Sequence, residues 1–422
     1  MTIKPFLPGA FLCLAALSPA TAAGDAYLDR AREIHKKIIV FDSHLDIPDD
    51  FGTPGLEAGT DGATQFDLPK VERGLVKGAS LAVFVPQGPR TPQATEEARA
   101  AALKKYQIIV GIAAKYPERA GIAYTPTDVR KLAEQGKFAI VVSILNGYPL
   151  GGDVSKLDEW YGRGVRIFGF THAGNNDLAD SSRPALLEGD KLDEHGGLSE
   201  AGKKFVARLN ELGVLIDVSQ LSSNALRDVL SLTKAPVAAT HSGVRGLVDH
   251  PRNLSDAELQ AIKKNGGVVQ LTAYSSWVRP LPEEWQQKVN AVRREFGVPE
   301  EYPIASIAPV NADGVKPLSK EKYEEYSRRA HAVLLDPSVL ATVSQFVDGI
   351  DYAVKRIGVD HVGISSDFNH GGGVIGWNNE GEAPNVTAEL LRRGYTEEQI
   401  RKIWGENFLR VWQSAQKAGK EK

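Results

Sequence analysis

Eight short runs rich in valine and isoleucine recur along the chain, at residues 38–41, 80–85, 138–145, 165–170, 214–218, 237–240, 267–272 and 361–365. They are apolar on both faces, as strands buried on both sides must be, and the amphipathic stretches between them suit crossover helices. Alternation of this kind specifies an α/β protein with a parallel sheet. Eight strands close a (β/α)8 TIM barrel. An open doubly wound sheet would carry a glycine-rich phosphate turn after its first strand, and residues 41–46 have none. Helices are expected over 25–37, 95–115, 199–212, 224–232, 255–264, 338–356 and 396–416, with start signals at Thr127, Ser199 and Ser255.

The residues that follow the runs share a chemistry. His44 and Asp46 follow the first, two apart, so an extended backbone places both on one face about 7 Å apart. Asn146 follows the third run, His172 the fourth, Gln220 the fifth, His241 the sixth, Tyr274 the seventh and Asp367 the eighth. A single such residue is ordinarily a hydrogen bonder at a strand end. Seven of eight strand ends carrying one, on the face where barrels build their active sites, indicate a metal or catalytic centre.

Composition narrows the class. The net charge of -3 with mixed signs gives no basic stripe, which excludes nucleic acid as a partner. Lys4, an apolar stretch at 6–17, Pro19 and the small residues 20–23 read as a cleavable signal peptide over 1–23, too short to span a bilayer. The single cysteine, Cys13, lies within it. The mature chain, 24–422, is therefore expected as one disulfide-free barrel domain in the periplasm or outside the cell, off the membrane once the signal is cut. Segments 47–66 and 275–337 interrupt the alternation; such insertions on a catalytic face serve as lids or subunit contacts.

Taken together, Asp42-Ser43-His44-Leu45-Asp46, Phe170-Thr171-His172, Leu215-Ile216-Asp217-Val218-Ser219, Thr240-His241-Ser242, His250-Pro251-Arg252-Asn253 and Gly363-Ile364-Ser365-Ser366-Asp367-Phe368 resemble the membrane (renal) dipeptidase family of zinc peptidases, peptidase family M19. The resemblance runs from first strand to last. It implies a barrel of the metal-dependent amidohydrolase type, metal ligands at His44, Asp46 and His241, an oxyanion-stabilising and substrate-binding His172, a carboxylate clamp at Arg252 assisted by Tyr274, and Asp367 as the catalytic proton shuttle. A homodimer is implied on the same ground.

Two positions depart from the pattern. Asn146 stands where the family has a glutamate bridging two zincs, and Gln220 where it has a histidine. Neutral amides bind zinc weakly, so one Zn²⁺, on His44, Asp46, His241 and Asp367, is expected where the family holds two, with two metals or none as the remaining arrangements. The expected substrate is a dipeptide or similar small amide with a free carboxylate. Two further readings stay open: a one-metal or metal-free member acting on a non-peptide small molecule or natural product, and a non-catalytic binding protein. His370, close after Asp367, is a candidate replacement ligand, and Asn175, Asn176 and Asp177 extend the polar rim.

Overall fold

The computed structural model describes residues 19–299, 316–334 and 336–420. Eight parallel strands make the barrel wall: β1 (Phe41–Leu45), β2 (Gly78–Phe84), β3 (Phe138–Leu145), β4 (Val165–Gly169), β5 (Leu215–Asp217), β6 (Ala238–Val244), β7 (Val268–Thr272) and β8 (Val362–Ser365). Each pairs with the next in chain order. At one end β8 returns to β1, where Asp367 N–H donates to His44 O at 3.1 Å and Asp46 N–H to Phe368 O at 3.0 Å. The side chain of Asp42 strengthens this seam, accepting from Ser366 N–H at 3.0 Å and from the Ser366 hydroxyl. The barrel is thus joined beside the residues that the sequence marks as a site.

All eight expected strands form, with the first displaced. It begins at Phe41 and runs to Leu45, so His44 lies within the strand and not beyond it. Residues 38–40 are core residues leading in. Two short strands had no distinct signal: Ala120–Ile122 pairs with the start of β3, and Asn253–Leu254 with the end of β6. Ser199 and Ser255 cap helices as expected, the latter in a capping box with Glu258. The third start signal shifts: Thr125 and not Thr127 caps Pro126–Glu134, since its hydroxyl reaches Asp128 N–H and Pro126 suits the first helical position. The helix expected over 396–416 is divided by a π turn at Lys402–Glu406. There Gly405 lies against Ile39 O so closely that a Cβ would come within 2.4 Å of it.

The C-terminal helix Asn407–Lys420 closes the end of the barrel opposite the seam. Phe408 and Trp412 are fully buried in a cluster with Phe41, Ala139, Leu215, Ala238 and Val268, residues at or near strand starts. Phe41 and Phe408 stack at 5.3 Å. With one end plugged by aromatic packing, the polar strand ends occupy the other.

The first helix, Pro19–Lys37, is tied down by a buried imidazole. His35 is within hydrogen-bond distance of Gly74 O at 3.0 Å and Thr387 Oγ1 at 2.7 Å, and Trp404 Nε1–H donates to that same Thr387 oxygen at 2.6 Å. Nδ1–H therefore donates to Gly74, and Nε2 accepts from Thr387. Burial pushes the His35 pKa down to about 4. Its unfolded value is near 6.5, so the unfolded chain binds the extra proton and stability is lost as pH falls from about 6.5 through 4. A shift of this size corresponds to about 3 kcal/mol. In urea unfolding at pH 7.5 and pH 4, wild type is expected to lose that much more than His35→Gln; equal losses would show that His35 does not titrate as described.

The segment after Tyr274 carries helices Ser275–Val278, Glu283–Phe296 and Lys320–Leu334. Val292, Val298, Tyr326 and Ala330 form a small core with Leu186 and Leu187 from the loop after β4. The described helices of the insertion are thereby packed against the loop that follows β4, on the side of the polar strand ends. The expected signal peptide lies, through residue 18, outside the described residues.

Candidate active site

Three strands bring His44, His241 and Asp367 together. His44 and His241 stack with ring centroids 3.8 Å apart and planes within 9°. His44 Nε2 lies 3.7 Å from Asp367 Oδ1. Burial holds the His44 pKa down to about 3, leaving a neutral ring whose Nε2 has no hydrogen-bond partner among the described residues. Burial also pushes Asp367 up, to about 7, against the pull of His370 and Arg252. A buried ring nitrogen without a hydrogen bond, set beside a buried carboxyl, is an incomplete polar arrangement among the described residues.

His241 is set by a chain of hydrogen bonds beneath it. The Thr240 hydroxyl donates to Asp217 Oδ2 at 2.6 Å and lies 2.8 Å from His241 Nδ1. Nδ1 must therefore carry the proton, and Nε2 keeps its lone pair. The Gln220 amide N–H donates to that lone pair at 3.0 Å, while Gln220 Oε1 accepts from Arg183. The guanidinium fixes which way the amide points, because only its oxygen can face Arg183.

Asp46 is engaged elsewhere. Its Oδ1 accepts from Ile47 N–H at 2.7 Å and lies 3.4 Å from Lys105 Nζ, and its Oδ2 is 3.2 Å from His370 Nδ1. Although burial alone would raise its pKa, the His370 hydrogen bond and the His370 and Lys105 charges hold it below the usual carboxylate range. His370 thus faces Asp46 and not His241, so the replacement-ligand expectation is not met in this arrangement. Asn146 is also occupied: its Nδ2 donates to Val85 O at 3.0 Å, and its Oδ1 accepts from Asn176 at 2.9 Å and Tyr148 N–H at 3.3 Å. Asn175 and Asn176 are buried loop scaffolding and not an open rim. Asn146, Gln220 and Asp367 all have positive φ, at 75°, 69° and 57°. Non-glycine residues in that region are costly, and three of them after strands on the same barrel rim mark a place where the fold tolerates strain to aim side chains.

Arg252 is 2% exposed. It donates to Ser242 Oγ at 3.1 Å and to His241 O, and its guanidinium lies 4.7 Å from the Trp277 ring centroid. A surface ion pair with Asp249 or Asp256 is not formed; those carboxylates lie against Arg245 and Arg356. Tyr274 stacks on Trp277 at 4.0 Å, and Gly371 passes so close to the Tyr274 ring that a Cβ there would clash at 2.7 Å. His172 packs against Phe84 and His370, and burial together with the Arg183 charge keeps its pKa well below the usual imidazole range. Lys105 and Arg183 escaped the sequence reading. Lys105 lies in the amphipathic helix Pro92–Lys115, where lysine reads as a solvated face, and Arg183 in a loop whose path has no periodic signal.

The donor set fits one cation. His44, His241 and Asp367 offer ligand atoms all within 4.8 Å of one another, and the partnerless His44 Nε2 is the atom a metal would satisfy. The His241 Nε2, the third ligand atom, is met here by the Gln220 amide N–H at 3.0 Å. A second cation finds no comparable set among the described residues, since Asn146, Gln220 and Asp46 are already committed.

The membrane dipeptidase (peptidase family M19) model matches residues 28–422. The chain belongs to peptidase family M19. The probable dipeptidase PvdM from Pseudomonas aeruginosa, known as a crystal structure, is 46% identical, with a TM-score of 0.87 over 93% of this chain and 99% of that one. Dipeptidase verJ from Clonostachys rogersoniana is 27% identical over 360 residues, 83% of this chain and 76% of that protein. A metallo peptidase from Rhodobacter sphaeroides, liganded with a phosphinate mimic of the dipeptide L-Ala-D-Ala, shares the fold at 23% identity and a TM-score of 0.67, over 90% of this chain and 99% of that one. The M19 chain described here is accordingly a metallo-dipeptidase-like hydrolase on a TIM barrel.

Proposed function

We propose that this M19 member is an exported, single-cation hydrolase that cleaves a dipeptide or similar small amide bearing a free carboxylate. The observation that carries the reading is the His44 Nε2, without a hydrogen-bond partner among the described residues and grouped with His241 and Asp367 on the rim that also holds buried Arg252. His44, Asp367 and His241 would hold the cation, with Asp46 oriented behind them by Lys105 and His370. A bound Zn²⁺ at such a site supplies Lewis-acid polarisation and a more acidic water.

The remaining roles belong to the chain itself. Asp367 accepts the proton of the attacking water and returns it to the leaving amine. His172, neutral and bearing one N–H, donates to the oxyanion as it develops. Arg252 pairs with the substrate carboxylate through its guanidinium, and Tyr274 borders that position. Export rests on the signal-like segment 1–23; among the described residues no helix is long and apolar enough to cross a membrane.

A second reading draws on one observation, the Gln220 amide held between Arg183 and His241. It is the same barrel acting on a non-peptide amide or ester. A panel of L,L- and L,D-dipeptides offered to protein supplied with Zn²⁺ tests the first reading. Release of free amino acids, stopped by a chelator, is expected; an inert protein across the panel would overturn it.

A further inference from the structure

Arg183 is a second buried guanidinium at this site, and beyond orienting Gln220 it has no role in the chemistry assigned so far. It is 7% exposed, and its described hydrogen bond from the guanidinium goes to the neutral oxygen of Gln220. Its Nε has no partner, and no carboxylate forms an ion pair with it, among the described residues. Arg252 is in the same condition: its bonds go to a hydroxyl and a carbonyl, and its Nε is also without a partner there. Burying one guanidinium without an anion is expensive, and burying two side by side adds their repulsion. Folds keep such an arrangement where an incoming anion completes it.

The two cations share one locality. The Trp277 ring centroid lies 4.7 Å from the Arg252 guanidinium and 6.0 Å from that of Arg183. Both are anchored on His241, Arg252 through its backbone carbonyl and Arg183 through Gln220. Of the site's own carboxylates, Asp46 is taken by Lys105 and His370, and Asp367 attracts both guanidiniums at a distance but makes no ion pair or hydrogen bond with either among the described residues.

We propose that Arg183 is a specificity-determining residue that binds a second acidic group of the substrate, so that with Arg252 it selects small amides carrying two carboxylates, such as a dipeptide ending in aspartate or glutamate. The proposal rests on the reading of Arg252 as the clamp for the first carboxylate. If Arg183 served only to hold Gln220, it would be blind to the charge of the substrate side chain.

Calorimetric binding of glutarate and of glutaramate, equal in length and differing in one charge, separates the two roles. Wild type is expected to bind glutarate about tenfold more tightly, as a charge-assisted pair implies, and Arg183→Gln to bind both within about twofold, with Arg183→Lys between them. Equal affinities in wild type, or an undiminished preference in Arg183→Gln, would overturn the proposal. Should Arg183→Gln fail to fold, a crystal structure of wild type with glutarate decides: one carboxylate on Arg183 supports the assignment, and both elsewhere refutes it. Turnover of Ala-Glu and Ala-Gln keeps the two claims apart. Selective glutarate binding with no cleavage of either dipeptide defeats the hydrolase reading alone, whereas equal cleavage together with equal binding defeats this proposal alone.

Discussion

Replacing Asp367 by asparagine is expected to lower kcat/KM for amide cleavage by about 10²–10⁴, the range that a positioned acid–base group supplies. The same substitution should leave the metal-free protein as stable as wild type or more so. Burial pushes the Asp367 pKa up to about 7, whereas an aspartate in the unfolded chain titrates near 3.8. The folded state therefore disfavours the ionised form. Its contribution to stability is full below about pH 4 and is lost as pH rises through 7. Asparagine has the same shape and no charge to desolvate, so at pH 8 the variant should gain of the order of 1–4 kcal/mol. Steady-state kinetics beside urea unfolding reads both halves. A variant that loses stability along with activity would mean that Asp367 is a structural group, contrary to the role assigned here.

Much of this architecture was legible because it rests on periodicity. Runs such as Phe138–Leu145 are β-branched, buried on both faces and bounded by polar residues, which leaves few alternatives to a parallel barrel strand. Capping at Ser199 and Ser255 is local chemistry and reads directly. The first strand was displaced because Ile38 and Ile39 are as apolar as Phe41, and composition alone cannot say where pairing begins.

The site divides along the same line. Strand-end residues could be listed because a barrel delivers them to one face: His44, His241 and Asp367 do meet, and Arg252 is buried beside His241. What surrounds them comes from elsewhere. Lys105 arrives on a helix and Arg183 on a loop, and their convergence on Asp46 and Gln220 is a property of tertiary packing. Gln220 shows the limit most clearly. The sequence presents it as a weak substitute ligand, whereas in the fold its oxygen faces Arg183 and its N–H faces the His241 lone pair. The positive φ values at Asn146 and Gln220 were equally out of reach, since only asparagine among the two commonly adopts that conformation.

A single cation is the occupancy proposed for this site, and charge is what supports it. A pair of dications would need more anionic ligands than this site offers among the described residues: Asn146 and Gln220 are neutral and hydrogen-bonded, and Asp46 is held by Lys105 and His370. Three N/O ligands with an open position suffice for one zinc. Titration of the metal-free protein with Zn²⁺, with bound metal counted after gel filtration, tests this most directly. One tightly bound equivalent per chain is predicted for wild type, lost in His44→Ala, with a second equivalent appearing when Asn146→Glu and Gln220→His are combined. Two equivalents in wild type, or none at all, would contradict the account.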